Sequence, residues 1–177
     1  MSSQHFHSLR KPRAGQALCL AAALLLCGVA AAQTPPPAAI GQGPGYHDPR
    51  SPFKPLQERE GVVSWPLLAS VSTKVENKRM VPSFPAAVQA LDKQKVKVQG
   101  FMMPLEPGDK QRHFLLSSVP TSCSFCTPAG PEGLVEVRSR TPVRYTLEPV
   151  VVEGTMAVLS NDPYGLFYRV TDAQPSN

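Results

Sequence analysis

From Lys95 onward, polar and apolar residues alternate in short runs. Lys95, Lys97 and Gln99 interleave with Val96, Val98 and Gly100, and Phe101-Met102-Met103 follow, which predicts a half-buried strand running into a fuller one. Arg112–Ser118 predicts a second strand, with Phe114 and Leu116 on one face and His113 and Leu115 on the other. In a third, Val135 and Val137 alternate with Leu134, Glu136 and Arg138, and Val143–Leu147 reads as a short fourth. Pro149–Leu159 is long and β-branched, and Gly154 interrupts it where a bulge or bend is expected. Leu166, Tyr168 and Val170 alternate with Phe167, Arg169 and Thr171 in a last strand. One short helix is expected over Ser83–Leu91, capped by Ser83, with Pro85 in its first turn and Phe84, Val88 and Leu91 on one side. Many short strands between turns such as Glu106-Pro107-Gly108-Asp109 and Asn161-Asp162-Pro163 point to a small barrel or sandwich. A bend at Gly154 suits a barrel that must curl. The expected fold is therefore mainly β, a five- to six-stranded barrel of the oligonucleotide/oligosaccharide-binding (OB) type with one short helix.

Upstream the pattern is different. Arg10, Lys11 and Arg13 precede the apolar run Ala17–Val29, and Ala30-Ala31-Ala32 offers a small-residue cleavage site. This is the three-part build of a secretory signal peptide over residues 1–32, and the run is short for a spanning helix. The expected location is the periplasm. Cleavage after Ala32 removes Cys19 and Cys27; a lipoprotein would instead keep Cys27 as its acylated first residue, although Leu26 is bulky for that signal. Residues 33–60, with Pro35-Pro36-Pro37 and Gly41-Gln42-Gly43-Pro44-Gly45, read as a disordered Pro/Gly-rich tether in which His47 is a solvated linker histidine. Residues 61–173 form one domain, followed by a tail at 174–177. Trp65, the only tryptophan, is expected to pack one end of the core.

Charge excludes one class of partner. The formal charge is +5, but 3 of the 18 Lys and Arg residues lie in the leader, which holds no Asp or Glu. The remaining 15 against 13 acidic residues leave +2, too little to argue for nucleic acid. No Ser-His-Asp arrangement, phosphate-cradling glycine loop or metalloprotease helix stands in the chain, so enzymatic activity has no support.

The chemistry concentrates at Cys123-Ser124-Phe125-Cys126, inside the Pro/Gly-rich segment Pro120–Gly133 between two strands. Thr127-Pro128-Ala129-Gly130-Pro131 forbids the helix that a thioredoxin-type thiolate needs at its N-terminus. Three readings stay open, one of them a thiol oxidoreductase that would have to work without that helix. In an oxidising compartment the pair closes a small structural disulfide. Alternatively, the two thiolates hold a soft ion, zinc or copper, with His113 and Glu132 as candidate further ligands and Asp109 as another carboxylate within the same stretch. Phe125 is expected to anchor the loop by packing, and Met102 and Met103 to fill core.

Lys97-Val98-Gln99-Gly100-Phe101-Met102-Met103-Pro104-Leu105, then His113-Phe114-Leu115-Leu116, the cysteine-bearing loop, Val135-Glu136-Val137 and Glu153-Gly154 resemble an uncharacterised family of bacterial exported proteins and lipoproteins, domain of unknown function 3299. The likeness runs from about Trp65 to Asp172, and the Gly-Phe-Met-x-Pro-Leu stretch is its most specific part. It implies an envelope location and a partner such as an inner-membrane transporter complex serving metal homeostasis. Relatives of this kind carry Cys followed by His and prolines at the loop. Cys123 matches that Cys; no His follows it, and Cys126 with Ala129-Gly130-Pro131-Glu132 forms a variant loop. What the resemblance implies for both variants is a soft metal-ligand pair.

Overall fold

The computed structural model describes residues 45–176; the expected leader with Cys19 and Cys27, and the tether up to residue 44, lie outside the described residues. In chain order the elements are α1 (Trp65–Leu68), β1 (Ser72–Glu76), β2 (Arg79–Ser83), α2 (Ala86–Gln89), β3 (Lys95–Pro104), β4 (Lys110–Ser117), a 3-10 turn at Pro131–Gly133, β5 (Leu134–Arg144), β6 (Val150–Val158) and β7 (Tyr168–Ser176). Five strands close a barrel in the order β3-β4-β5-β7-β6, with β6 returning to β3. β5 and β7 run parallel, and the other barrel pairs are antiparallel. That is the five-stranded Greek-key arrangement of an OB-type barrel.

The alternation expected from the sequence builds the core. Val98, Phe114, Leu116, Val135, Val137, Val152, Met156 and Val170 all point inward and are buried, as is Met102. Each such side chain contributes about 1.5–3 kcal/mol relative to exposure. One barrel end is plugged by the short helices: Leu68 and Val88 are fully buried, Phe84 meets the Phe167 ring edge-on at 6.0 Å, and the Tyr168 hydroxyl donates to Leu68 O at 2.6 Å. Burial, and then the Glu132 charge, push the Tyr168 phenol well above its ordinary range.

Two glycines are dictated by close approach. At Gly154 the register of β6 on β7 shifts, and a Cβ there would lie 2.6 Å from Thr171 O and 2.7 Å from Val170 Cγ1. The bulge expected at this glycine is thus where the strands press most closely. At Gly100 a Cβ would meet Leu116 Cβ at 2.9 Å and the Trp65 ring at 3.2 Å. Trp65 occupies that space, donating from Nε1 to Gln99 O at 2.9 Å, and packs against the core as expected.

Several expectations are corrected. Among the described residues there are two short α-helices instead of one: Ser64 caps α1 by accepting from Leu67 N, with Pro66 in its first turn. The expected helix is shorter, and its N-cap is Pro85 with no side-chain bond, because Ser83 already ends β2. β1 and β2 form a separate, exposed two-stranded hairpin around Asn77 and Lys78, both at positive φ. Val143 does not start a new strand: β5 continues to Arg144, held by the pairings of Gln111 with Val143 and Lys110 with Arg144. β7 extends through Ser176, so Gln174 and Pro175, expected in a tail, pair with Glu153 and Val152. From Gly45 the expected tether is packed against the domain as an extended strap. Phe53 meets Phe101 edge-on at 6.4 Å, covering the outer side of β3.

Candidate functional site: the disulfide loop and its strap

Because β5 and β7 are parallel, the loop 118–133 and the loop 159–167 leave the barrel at the same end. The first is the cysteine loop. Val119 and Pro120 are buried, and Cys123 N donates to Pro120 O at 3.3 Å, which folds the loop back on its own root. Cys126 N then donates to Cys123 O at 3.3 Å, closing a tight turn. The sulfurs of Cys123 and Cys126 stand at disulfide distance, with Cα atoms 5.4 Å apart. Cys123 is only 7% exposed, whereas Cys126 is half-buried.

The strap docks on the residues just past Cys126. Gly45 N donates to Thr127 O (3.2 Å) and Pro128 O (3.1 Å), and Thr127 N donates to Tyr46 O at 3.0 Å. Arg50 extends over the Phe125 ring, its guanidinium carbon 4.6 Å from the ring centre. Asp48 fixes that guanidinium: Oδ1 accepts from Arg50 Nε at 2.9 Å and Oδ2 from Nη2 at 2.9 Å, while the Arg50 backbone N–H also donates to Oδ1 at 2.8 Å. These hydrogen bonds hold the Asp48 carboxyl down at about 2. Phe125, expected to anchor the loop by packing, is instead 49% exposed, and its ring carries the strap's Arg50 in a cation–π contact. His47 is no solvated linker histidine. Its Nε2 lies 2.9 Å from Phe53 O, and its Nδ1 is buried without a partner.

Between strap, α1 and loop lies a half-open cleft of about 230 Å³, lined among others by His47, Leu56, Val62, Trp65, Ser118 and Val119. Its lining is mixed: Leu56, Val62, Val63, Trp65 and Val119 are apolar, while His47, Gln57, Glu58, Arg59, Ser64, Gln99 and Ser118 are polar or charged.

The other sequence-predicted ligands lie elsewhere. His113 stands on the outer face of β4, with Nε2 2.8 Å from Glu136 Oε1. Glu136 is the hub of a charge cluster: its side chain is 4% exposed, Arg138 Nε donates to Oε1 at 3.0 Å, and Arg169 Nε donates to Oε2. Burial pulls the Glu136 carboxyl upward, but the hydrogen bonds from Arg169, His113 and Arg138 outweigh it and hold the group below its ordinary range. Arg169 continues to Asp162 Oδ1 at 3.0 Å, and Asp162 Oδ2 accepts from Tyr164 N and Leu166 N, so the network ties the 159–167 loop to the barrel wall. Glu132 sits in the Pro131–Gly133 turn, folded beside Gly130. Asp109 is exposed in the loop before β4, at the opposite end of that strand from the cysteines, and its carbonyl accepts from Tyr145 N. The structure thus brings the two cysteines together and neither His113 nor Glu132 into a cluster with them. Among the described residues no group of three or more His, Cys, Asp or Glu side chains is placed to hold a metal ion.

Sequence reasoning missed Tyr46, Arg50 and the pairing of Asp48 with Arg50 as parts of the site, and Arg169 and Asp162 as parts of the charge cluster. The Asp48-Pro49-Arg50 spacing was a usable turn signal, since an Asp side chain readily bonds backbone two residues on.

Residues 57–165 match the model of a family described as "Protein of unknown function (DUF3299)". A crystal structure of a DUF3299 family protein from Pseudomonas aeruginosa PAO1 is 26% identical over 50% of this chain and 64% of that one, with a TM-score of 0.41. The chain thus spans somewhat under two thirds of that protein's length. No curated protein matches the chain.

Proposed function

The chain belongs to the DUF3299 family of proteins of unknown function, and from its own geometry we propose that it is an exported, non-catalytic interaction module of the cell envelope, whose Cys123–Cys126 pair is a structural disulfide. The observation that carries this reading is the pairing itself, two sulfurs at bonding distance in a loop clamped to the strap. A bonded pair has no thiolate to give to zinc or copper, and it belongs in an oxidising compartment such as the one the leader addresses. The presented surface is the end of the barrel that carries the disulfide loop, with half-exposed Phe125, the cleft beside Trp65, and Tyr164 at 84% exposure in the neighbouring loop. Exposed aromatic side chains at this end of the barrel favour a protein or envelope-polymer partner. An inner-membrane transporter complex is one such partner. The chain works as a soluble periplasmic domain, or from a lipid anchor if Cys27 is kept.

The competing reading is a soft-metal carrier in which reduced Cys123 and Cys126 bind zinc or copper with help from His113 or Glu132. His113 would have to leave Glu136, and the loop would have to move toward a third ligand. Elemental analysis of the mature protein beside a Cys123→Ser, Cys126→Ser variant separates the two. Equal and substoichiometric metal in both is the expected result. One equivalent of zinc or copper in the native chain, lost in the variant, overturns the proposal.

A further inference from the structure

The two cysteines differ in exposure, and the difference has a chemical direction. Cys123 is nearly enclosed at the root of the loop, whereas Cys126 is half-buried at its outer side. A thiolate attacking a disulfide approaches along the S–S axis, from behind the sulfur it will bond, and access decides which sulfur that is. The hydrogen bonds and the cation–π contact from strap to loop lie on the Cys126 side, with the Phe125 ring under Arg50 and Thr127 and Pro128 under Gly45 and Tyr46, while Gly45 also stands beside Ser118 at the root. The strap in turn covers Phe101, which is 3% exposed, and supplies one wall of the 230 Å³ cleft through His47 and Leu56. One covalent bond therefore ties a buried root to the segment on which the strap rests.

We infer that Cys126 is the point at which a dithiol oxidoreductase of the envelope opens this loop, and that opening it releases the strap and widens the cleft. The attacking thiolate forms a bond to Cys126 Sγ as the Cys123–Cys126 bond breaks, and the electron pair leaves on Cys123 Sγ, which takes a proton from water. The partner's second thiolate then attacks its own sulfur in the mixed disulfide and expels Cys126, which is protonated in turn. The partner becomes a disulfide after giving up two electrons, and this protein gains two electrons and two protons. Arg50 guards the step from outside. Held by Asp48, it lies over Phe125, the residue adjoining Cys126, so the approach is restricted while the strap is seated. This goes beyond the binding-module reading and needs only the bonded pair; an inert bond would sink it and leave that reading standing.

The test uses the full mature chain and a thioredoxin-type dithiol protein whose resolving cysteine is replaced by serine. The expected product is a mixed disulfide that peptide mass spectrometry maps to Cys126. Reduction by the intact dithiol protein is then expected to raise amide exchange at Gly45 and Thr127 by roughly an order of magnitude, while the amides of β4 and β5 keep their protection, because the strap is a local unit. Arg50→Ala, which leaves the disulfide in place, is expected to speed the trapping several-fold. Adduct at Cys123, no adduct under conditions that reduce an unfolded control, or unchanged exchange at Gly45 and Thr127 after reduction would each overturn the inference.

Discussion

Glu136→Gln tests how the outer charge cluster holds the barrel wall. Glutamine keeps the outline of the side chain but turns one of its two acceptor oxygens into a donor. In the native protein both oxygens are used: His113 Nε2 and Arg138 Nε meet Oε1, and Arg169 Nε donates to Oε2. At least one of these becomes a donor facing a donor. A hydrogen bond to a charged group contributes about 1.5–3 kcal/mol, and breaking a buried ion pair on one side costs about 3–5 kcal/mol. The lower half of that span applies here. Arg169, 20% exposed, keeps Asp162 at 3.0 Å, and Arg138, 57% exposed, regains water. A loss of about 1.5–3 kcal/mol at neutral pH is therefore expected. Urea unfolding followed by the fluorescence of Trp65, the only tryptophan and one bonded to Gln99 O, reads it directly. The pH dependence sharpens the test. The folded Glu136 carboxyl is held below its ordinary value of 4.5, so its stabilisation is complete above that value and is lost as pH falls through the lower folded one. The gap between wild type and Glu136→Gln should be full at neutral pH and shrink in acid. Equal stability at neutral pH, or a gap that persists unchanged in acid, would refute the reasoning.

Three further outcomes follow from other contacts. Gly154→Ala places a Cβ against Thr171 O and Val170 Cγ1 at a strand crossing that cannot give way, and is expected to lower the urea midpoint by an amount equivalent to about 1–3 kcal/mol. Tyr168→Phe leaves the buried Leu68 carbonyl without its donor and should cost about 1–3 kcal/mol in thermal or urea unfolding, with the strands otherwise unchanged by circular dichroism. Asp48 titrates from an ordinary 3.8 down to about 2 in the folded chain, so the Asp48–Arg50 pair is intact above about pH 4 and is lost as pH falls toward 2; NMR contacts between Arg50 and Phe125 should fade across that window and not before it.

Much of the barrel was legible because a strand with one buried face writes itself as alternation. Val96/Val98, Phe114/Leu116, Val135/Val137 and Tyr168/Val170 all face inward as the pattern required. Gly154 was legible for a related reason, since a glycine inside a β-branched run marks a place where backbone comes close. The β1–β2 hairpin was not, because it buries no face: Val75 and Met80 are paired across it and both are exposed, so no periodic signal separates it from a loop. The strap escaped for a different reason. Tyr46, Phe53 and Leu56 are spaced without period among prolines and glycines, and an extended segment that packs through scattered anchors leaves no repeat to read. At the site, the closeness of Cys123 and Cys126 followed from a three-residue spacing, but their choice between bond and metal depends on where third and fourth ligands fall. That is a matter of register: Glu136 meets Arg169 only because β5 pairs with β7 in parallel, a long-range pairing that no local pattern encodes. His113 is thereby committed to Glu136 and not to the sulfurs.

The account rests on an oxidised cysteine pair in the working protein, and counting free thiols measures that most directly. Protein purified without reductant is denatured in the presence of an alkylating reagent, and its intact mass is read. The account expects no alkyl group at Cys123 or Cys126 until a reductant is added, and then one at each. Both cysteines alkylated without reductant would contradict it, and would return the pair to the role of metal ligand.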